Sequence, residues 1–504
     1  MTKVKHLGEA TARAAELYGD AQALVFEGQS FSFNQLNDFV ERAAAGLVAA
    51  GVQQGEVVTL YAGNSWQWIV SYYAIARAGG VINPINTMLT PDEVSFVVED
   101  CKASAIIVSA DKAEAAATVR DKVKLAVVIG ESDHGMMSFS DMLENHALRL
   151  PPIEVDENSL STICYTSGTT GHPKGAMQSH KAVITNGAMT SQLQMRGAQD
   201  RVLSALPCPH VYANVVMHSM MFFGSTLILH ARFDPSAFLV AIEAHKVTVI
   251  DAVPTMYMFM LNNPALGDTD VSSLTRAYVG GQTMPVSTME RVEQSFGIPL
   301  IELWGMTEIA GLGSTHPLYG KNKHGSIGVA LPYCELRIAD TEQPDKVMPR
   351  GEDGELQVRG PITMMGYFGD PKKTAETLLP SGWLRTGDVA MMDEDGCVFI
   401  VDRLKDMILT GGFNVYPAEI ERVLAMHPDV ALAAVGKRVD EMKGEIAIAY
   451  IVLSQGAQGD VDALMVHCRE KLAAYKCPRD IVFVDDVPKT STGKIMRREL
   501  HRIG

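Results

Sequence analysis

Apolar positions in the first third of the chain fall into two alternating textures. Short branched runs, "EVVTLYAG", "SAIIVSA" and "LAVVIG", have the length expected of parallel strands buried on both faces. Between them, apolar residues recur at helical spacing. Leu36, Phe39, Val40, Ala43 and Leu47 mark one face of a helix opening at Ser32, where Ser32 and Gln35 spell a capping box. A second helix opens at Thr90, with Pro91 in its first turn and Glu93 closing the box. To about residue 150 the pattern predicts an α/β unit.

The alternation resumes with "RVLSALP", "STLILHA", "VTVIDAVP", "RAYVGG" and "PLIELWG", which predicts a second α/β half. Within it, "VVMHSMMFFGSTLILHA" is shorter than the ~20 residues of a spanning helix and is cut by His218 and Gly224. It reads as a buried helix followed by a buried strand. From Gly325 short strands punctuated by glycine, "SIGVALP", "ELRIAD", "GELQVRG", "GWLRTGDVA" and "GCVFIVD", predict a small β-rich subdomain. After "VDRLKDMILTGG" comes a compact α+β unit with helices at 417–427 and 461–472 and strands "EIAIAYIVL" and "DIVFVD". The stretch 403–412 is the expected hinge.

Composition narrows the function classes. The chain has 504 residues, 47% of them hydrophobic, and a formal charge of -16, so general nucleic-acid binding has no electrostatic support. The seven scattered cysteines contain no C-x-x-C pair, and no apolar signal core follows Met1, so a reduced cytoplasmic location is expected. Oligomeric state is left open, a homodimer included. There is no zinc-ligand spacing around His210, His218 and His230, no H-E-x-x-H, no flavin-type G-x-G-x-x-G and no G-x-S-x-G nucleophile elbow.

Five stretches carry candidate chemistry, each with a structural alternative. "YTSGTTGHPKG" follows a strand-like run and precedes a helical one. Its backbone N–H groups and hydroxyls suit phosphate oxygens, with Lys174 adding charge, though Pro173 stands where a P-loop requires glycine. It is a polyphosphate cradle or an ordinary loop. "ELWGMTE" sets Thr307 beside Glu308, an oxygen pair suited to magnesium or a helix N-cap. "RTGD" offers Asp388 to ribose hydroxyls or makes a β-turn. "DRLKDMILTGGFNVYPAEIE" joins charge to glycine freedom, as a hinge or as a solvated connector. "PKTSTGK" presents Lys494, able to neutralise developing charge or simply solvated.

Taken together and in this order, the five stretches resemble the adenylate-forming superfamily of acyl-CoA synthetases, peptide-synthetase adenylation domains and luciferases. The resemblance covers essentially the whole chain. It implies an N-terminal AMP- and acyl-binding domain, 1–402, and a mobile C-terminal domain, 403–504. It also implies a two-step reaction: a carboxylate attacks the α-phosphate of magnesium-bound ATP, and the thiol of coenzyme A then displaces AMP.

Residue by residue, the resemblance implies that Thr166, Ser167, Gly168, Thr169, Thr170, Gly171 and Lys174 grip the β- and γ-phosphates. Glu308 holds Mg2+, Thr307 meets the α-phosphate, Asp388 takes the ribose hydroxyls, and Arg403 takes ribose or phosphate. Adenine lies between Gly280, Gly281 and Gln282 on one side and Glu302, Leu303, Trp304, Gly305 and Met306 on the other, beside Ile400. Relatives often carry tyrosine where this chain has Trp304. Lys494 is the implied catalytic lysine and Lys405 the hinge residue, with Gly411, Gly412 and Phe413 lining the pantetheine tunnel. Lys443 in "DEMKGE" departs from the family's D-x-x-W-G-E and pairs, if anything, with a CoA phosphate.

His210 matches the family's histidine beside the acyl pocket, whose lining is implied to be Tyr212, Ala213, Val216, Gly280, Gly281 and Gly305. "LPCPHVYANVVMHSMM" contains no aspartate for an α-amine. The expected acid is therefore hydrophobic, a medium- or long-chain fatty acid first and an aromatic or arylalkanoic acid second. Behind these stand a carrier-protein-loading adenylation enzyme and a non-catalytic nucleotide-binding protein.

Overall fold

The computed structural model describes residues 4–503, except 132–133, 145–149, 167–172, 411–412, 441, 455 and 490–494. Packing divides the chain into two compact units. One comprises 1–324, 328–335 and 358–384; the other comprises 325–327, 336–357 and 385–504. The second thus contains most of the β-rich segment together with the C-terminal α+β segment, and residue 403 falls inside it.

The first unit is built on two large sheets. In one, the expected strands Val57–Tyr61, Ala105–Ser109 and Leu125–Ile129 run parallel, joined by Val81–Pro84 and Leu160–Thr166. Their residues are buried because helices cover the sheet, and Val94, Val97, Ile106, Val108 and Ile163 share one apolar cluster. Both predicted capping boxes are present. Ser32 opens Phe33–Ala49 and Thr90 opens Pro91–Asp100, each hydroxyl accepting from the N3 amide while the N3 side chain returns the bond.

The other sheet carries the second half of the pattern. Arg201–Ser204, Thr226–Leu229, Val249–Ala252, Arg276–Val279 and Leu300–Met306 form its parallel body. Helix Val211–Phe223 and strand Thr226–Leu229 are buried, as their unbroken apolarity predicts. Two strands sit where the sequence did not put them. Gln22–Phe26, from the first half, adds parallel to Thr226–Leu229, with Leu24 opposite Leu227. Val329–Ala330, from "SIGVALP", pairs with Gly311–Thr315 at the far edge of the same sheet instead of joining the β-rich segment. Neighbours in the chain normally pair, and these long-range pairings leave no local trace.

The second unit contains a four-stranded sheet, Glu335–Ala339, Asp353–Arg359, Leu384–Met392 and Val398–Arg403. It also contains a five-stranded sheet on which Pro417–Leu424 and Val461–Lys471 pack. The expected strands are Gly444–Leu453 and Asp480–Phe483. The longest, Val430–Asp440, was not foreseen, because its glycine and its exposed charged end break the apolar run. Among the described residues no helix is long and apolar enough to cross a membrane.

Candidate active site

The glycine- and hydroxyl-rich loop connects two strands of a hairpin. Leu160–Thr166 runs antiparallel to Lys174–Ser179, with Thr166 opposite Lys174. The sequence placed this loop between a strand and a helix; helix His180–Leu193 starts only after the returning strand. The small residues of "KGAMQS" carry too little hydrophobic periodicity to announce that strand. Ser167, Gly168, Thr169, Thr170 and Gly171 lie outside the described residues.

A tyrosine that the sequence reading missed joins Lys174 to Glu308. The short strand Gly366–Tyr367 pairs with the returning strand of the hairpin, Tyr367 opposite Ala176. Lys174 Nζ lies 6.0 Å from the Tyr367 ring centroid, at the limit of a cation–π contact. The Tyr367 hydroxyl donates to Glu308 Oε1 at 2.8 Å. Burial first, and the Glu308 charge second, hold this phenol well above its usual range, so it remains a donor. In "MMGYFGD" nothing local distinguishes it from a core aromatic.

Glu308 itself is 8% exposed and sits in the one-turn helix Thr307–Ile309 that ends strand Leu300–Met306. That turn has no side-chain cap, so the helix-cap alternative has no support. Its backbone is pinned from several sides. The Met364 amide donates to Glu308 O at 2.8 Å, Gln178 Nε2 to Thr307 O at 2.7 Å, and Asn186 Nδ2 to Ile309 O at 2.8 Å. Among the described residues no group of three metal-ligating side chains exists. A single buried carboxylate suits a hard cation that keeps most of its waters and takes its other ligands from phosphate.

Gly280, Gly281 and Gln282 leave strand Arg276–Val279, whose Val279 lies opposite Glu302 on the strand carrying Leu303, Trp304, Gly305 and Met306. A Cβ on Gly280 would come within 2.1 Å of Leu303 Cδ1, and one on Gly305 within 2.1 Å of Gly311 O. The space a side chain would take at these two positions is filled by protein. Gly281 differs: its φ of +88° requires glycine, and its nearest neighbour, Val253 Cγ1, stands at 3.5 Å. Trp304 is 8% exposed, its Cζ3 2.4 Å from where a Cβ on Gly313 would lie.

His210 precedes helix Val211–Phe223, its carbonyl accepting from the Asn214 amide. Of the expected acyl-pocket residues on that helix, Ala213 and Val216 are buried. Behind Tyr212 lies a charge pair that the sequence reading also missed. The Tyr212 hydroxyl donates to Asp251 Oδ1 at 3.2 Å, and Arg196 Nη2 reaches both Asp251 oxygens at 2.8 and 2.7 Å. The pair is fully buried, with side-chain exposures of 1% and 0%. Asp251 is thus committed to a guanidinium and a phenol, and the pair is neutral as a whole.

In the second unit, Asp388 and Arg403 face each other on adjacent strands, Arg403 Nε 2.6 Å from Asp388 Oδ1. Asp388 is 2% exposed, and its amide donates to Thr386 Oγ1 at 3.0 Å. Arg385 and the Gly387 amide both bond Glu355, and the "RTGD" stretch lies within strand Leu384–Met392 instead of forming the β-turn offered as its alternative. Ile400 lies on the Arg403 strand opposite Ala390.

The C-terminal sheet bears a small cleft of about 130 Å³ lined by Thr410, Phe413, Lys443, Tyr475 and Arg479. Phe413 stacks on Tyr475 with centroids 4.6 Å apart. Tyr475 and Arg479 were not singled out in the sequence; they converge on Phe413 and Lys443 only through the fold. Lys405 lies just beyond strand Val398–Arg403. Gly411, Gly412 and Lys494 lie outside the described residues.

Comparison with known proteins gives the family. Residues 11–368 match the AMP-binding enzyme family, and residues 419–494 match the AMP-binding enzyme C-terminal domain. A feruloyl-CoA synthase of Amycolatopsis is 36% identical, with 98% of each chain covered. A long-chain-fatty-acid–CoA ligase of Bacillus subtilis is 32% identical over 97% of this chain and 92% of its own. Among solved structures, ATP-bound MatB from Rhodopseudomonas palustris superposes with a TM-score of 0.92 at 31% identity over 98% of both chains.

Proposed function

The chain belongs to the AMP-binding enzyme family, the adenylate-forming acid–thiol ligases, and on that premise we propose that it converts a hydrophobic carboxylic acid to its CoA thioester. In the first step a carboxylate oxygen attacks the α-phosphorus of ATP and the bond to pyrophosphate breaks. In the second the CoA sulfur, having lost its proton, attacks the acyl carbon and AMP leaves. Both steps bring anions together, so the residues assigned to them supply fixed positive charge and oriented donors.

In this reading Lys174 holds the leaving pyrophosphate, and Thr307 and Lys494 act at the α-phosphate. Asp388 and Arg403 hold the ribose. Glu308, oriented by Tyr367, is the magnesium ligand; the bound ion neutralises phosphate charge. The cleft lined by Phe413, Tyr475, Lys443 and Arg479 combines a stacking platform with two cations, which suits the nucleotide end of CoA. The cysteines, free of disulfides and mostly buried, fit a reduced cytoplasm.

The observation that carries the choice of acid is the buried, charge-compensated Tyr212–Asp251–Arg196 network. It leaves no uncompensated charge behind Tyr212 to hold an amine or a second carboxylate, which favours an apolar chain. A medium- or long-chain fatty acid is the first reading. An aromatic or arylalkanoic acid is the second, favoured by the 36% identity to the feruloyl-CoA synthase. A screen of CoA-dependent AMP release over straight-chain, branched and aromatic acids tests this. Turnover confined to amino acids or dicarboxylates would refute the apolar assignment.

A further inference from the structure

The turn that carries Thr307 and Glu308 is the tip of a hairpin: strand Leu300–Met306 returns as Gly311–Thr315, with Met306 opposite Gly311. Such tips normally lie open to solvent. Here the last tip residue, Ala310, is 4% exposed and takes a φ of +57°, which a residue with a Cβ rarely adopts. Gly311 follows at +145°, and a Cβ there would come within 2.6 Å of Asn186 Oδ1 and 2.7 Å of Val215 Cγ2. Backbone in such conformations persists only where its surroundings hold it firmly.

Asn186 supplies most of that hold. It lies within helix His180–Leu193 at 0% exposure. Its Nδ2 donates to Ile309 O at 2.8 Å and to Leu312 O at 2.7 Å, while its Oδ1 accepts from the Leu312 amide at 3.2 Å and from Thr190 Oγ1 at 3.3 Å. A carboxamide offers two N–H donors and two lone pairs, so all four are used, three of them on the backbone of 309–312. Asparagine favours caps and turns over helix interiors, so these bonds, and not local propensity, account for its place in the helix. From the other end Gln178, 2% exposed, donates to Thr307 O at 2.7 Å, an oxygen that also accepts from the Ala310 amide at 3.1 Å.

Gln178 and Asn186 come from one stretch of chain. It begins at Lys174, runs along strand Lys174–Ser179 and enters the helix at Ser179, whose side chain accepts from the Ala182 amide. The stretch that carries the cation assigned to the leaving pyrophosphate therefore also carries the two amides that hold the carbonyls on either side of Glu308.

We propose that Asn186 and Gln178 are positioning residues for Glu308: they clamp Ile309 O and Thr307 O, and so fix the magnesium ligand against the strand that begins at Lys174. The inference rests on the ligase reading above and extends it to two uncharged side chains that act only through the backbone. Tyr367 orients the Glu308 carboxylate; these amides set the backbone from which it projects.

Asn186→Ala takes a donor from Ile309 O and from Leu312 O and an acceptor from the Leu312 amide. Calorimetric titration of the full chain with ATP, once in magnesium chloride and once in EDTA, measures how much magnesium improves binding. In Asn186→Ala that improvement is expected to shrink by about tenfold, while affinity for ATP in EDTA stays within about threefold. Hydrogen exchange across 307–313, measured without nucleotide, is expected to rise by about tenfold, with exchange in strand Val57–Tyr61 unchanged. Gln178→Met, of similar length, and Thr190→Val, which releases Asn186 Oδ1, are expected to act in the same direction by about threefold each, and they decide the matter if Asn186→Ala does not fold. Thr190→Val added to Asn186→Ala should cost nothing more. Equal loss of affinity with and without magnesium, or unchanged exchange across 307–313, would overturn the clamp. If the unaltered protein binds ATP no better with magnesium than without it, the metal assignment of the ligase reading fails instead, and the nucleotide-free exchange comparison still decides whether the amides hold the turn.

Discussion

Replacing Tyr367 with phenylalanine removes one oxygen from between two groups assigned to the phosphates and leaves the ring under Lys174 in place. The lost hydroxyl is a donor to a buried, charged acceptor, Glu308 Oε1 at 2.8 Å. Bonds of that kind contribute about 1.5–3 kcal/mol, and a buried acceptor left short of a donor costs at the upper end of that range. Glu308 then has less reason to hold one orientation, so binding of ATP with magnesium should weaken. With about 1.4 kcal/mol per decade, the expected loss in kcat/KM for ATP is about ten- to a hundredfold. Acid-dependent pyrophosphate–ATP exchange, titrated with magnesium at fixed ATP, should show the midpoint moving to higher metal concentration. Tyr367→Leu also removes the ring beneath Lys174 and should be worse. If Tyr367→Phe matches the unaltered protein in both melting temperature and magnesium midpoint, Tyr367 does not orient Glu308 and the proposed geometry of the metal ligand fails.

Gly305→Ala should reduce soluble yield or lower stability by about 3 kcal/mol or more, because its Cβ would meet the backbone oxygen of Gly311 at 2.1 Å and no side chain can move aside; Gly281→Ala, with open space but a φ of +88°, should cost about 1–2 kcal/mol and be recoverable for assay. Burial holds His180 down to about 4 and His218 down to about 3, so each is neutral when folded yet takes a proton below about 6.5 when unfolded. Their contribution is intact above pH 6.5 and is lost as pH falls toward 4 and 3, by up to about 1.4 kcal/mol per pH unit for each. Urea midpoints between pH 7.5 and 4 should show this, and His218→Gln should flatten the slope.

What was legible in the sequence was what is written locally. The capping boxes at Ser32 and Thr90 need only residues three apart, and both formed. The parallel strands declare themselves because a run such as "LAVVI" is buried on both faces and needs no partner to be recognised. The family motifs share this property. Asp388 follows a glycine inside strand Leu384–Met392, Arg403 ends an apolar strand, and Thr307–Glu308 follows another. Each is identifiable from its own few neighbours, although only their order made the reaction class specific.

What was not legible is carried by pairs far apart in the chain. Tyr367 reaches Glu308 across 59 positions and Tyr212 reaches Asp251 across 39. The contacts of Arg497 are no different in kind: it meets Asp406 across 91 positions and Glu421 across 76. Each partner alone looks like an ordinary core aromatic, a strand aspartate or a solvated arginine, and only the fold supplies the other half. This division has a functional consequence. In the proposed reading, the nucleotide chemistry is the part written in local motifs, whereas selection of the acid is assigned to the surroundings of Tyr212. There a phenol, a carboxylate and a guanidinium cancel one another's charge before any substrate arrives. On the function proposed above, substitutions that change volume around helix Val211–Phe223 should shift the preference among acids more than substitutions in any of the five motifs, and the screen of acids applied to such variants would show it.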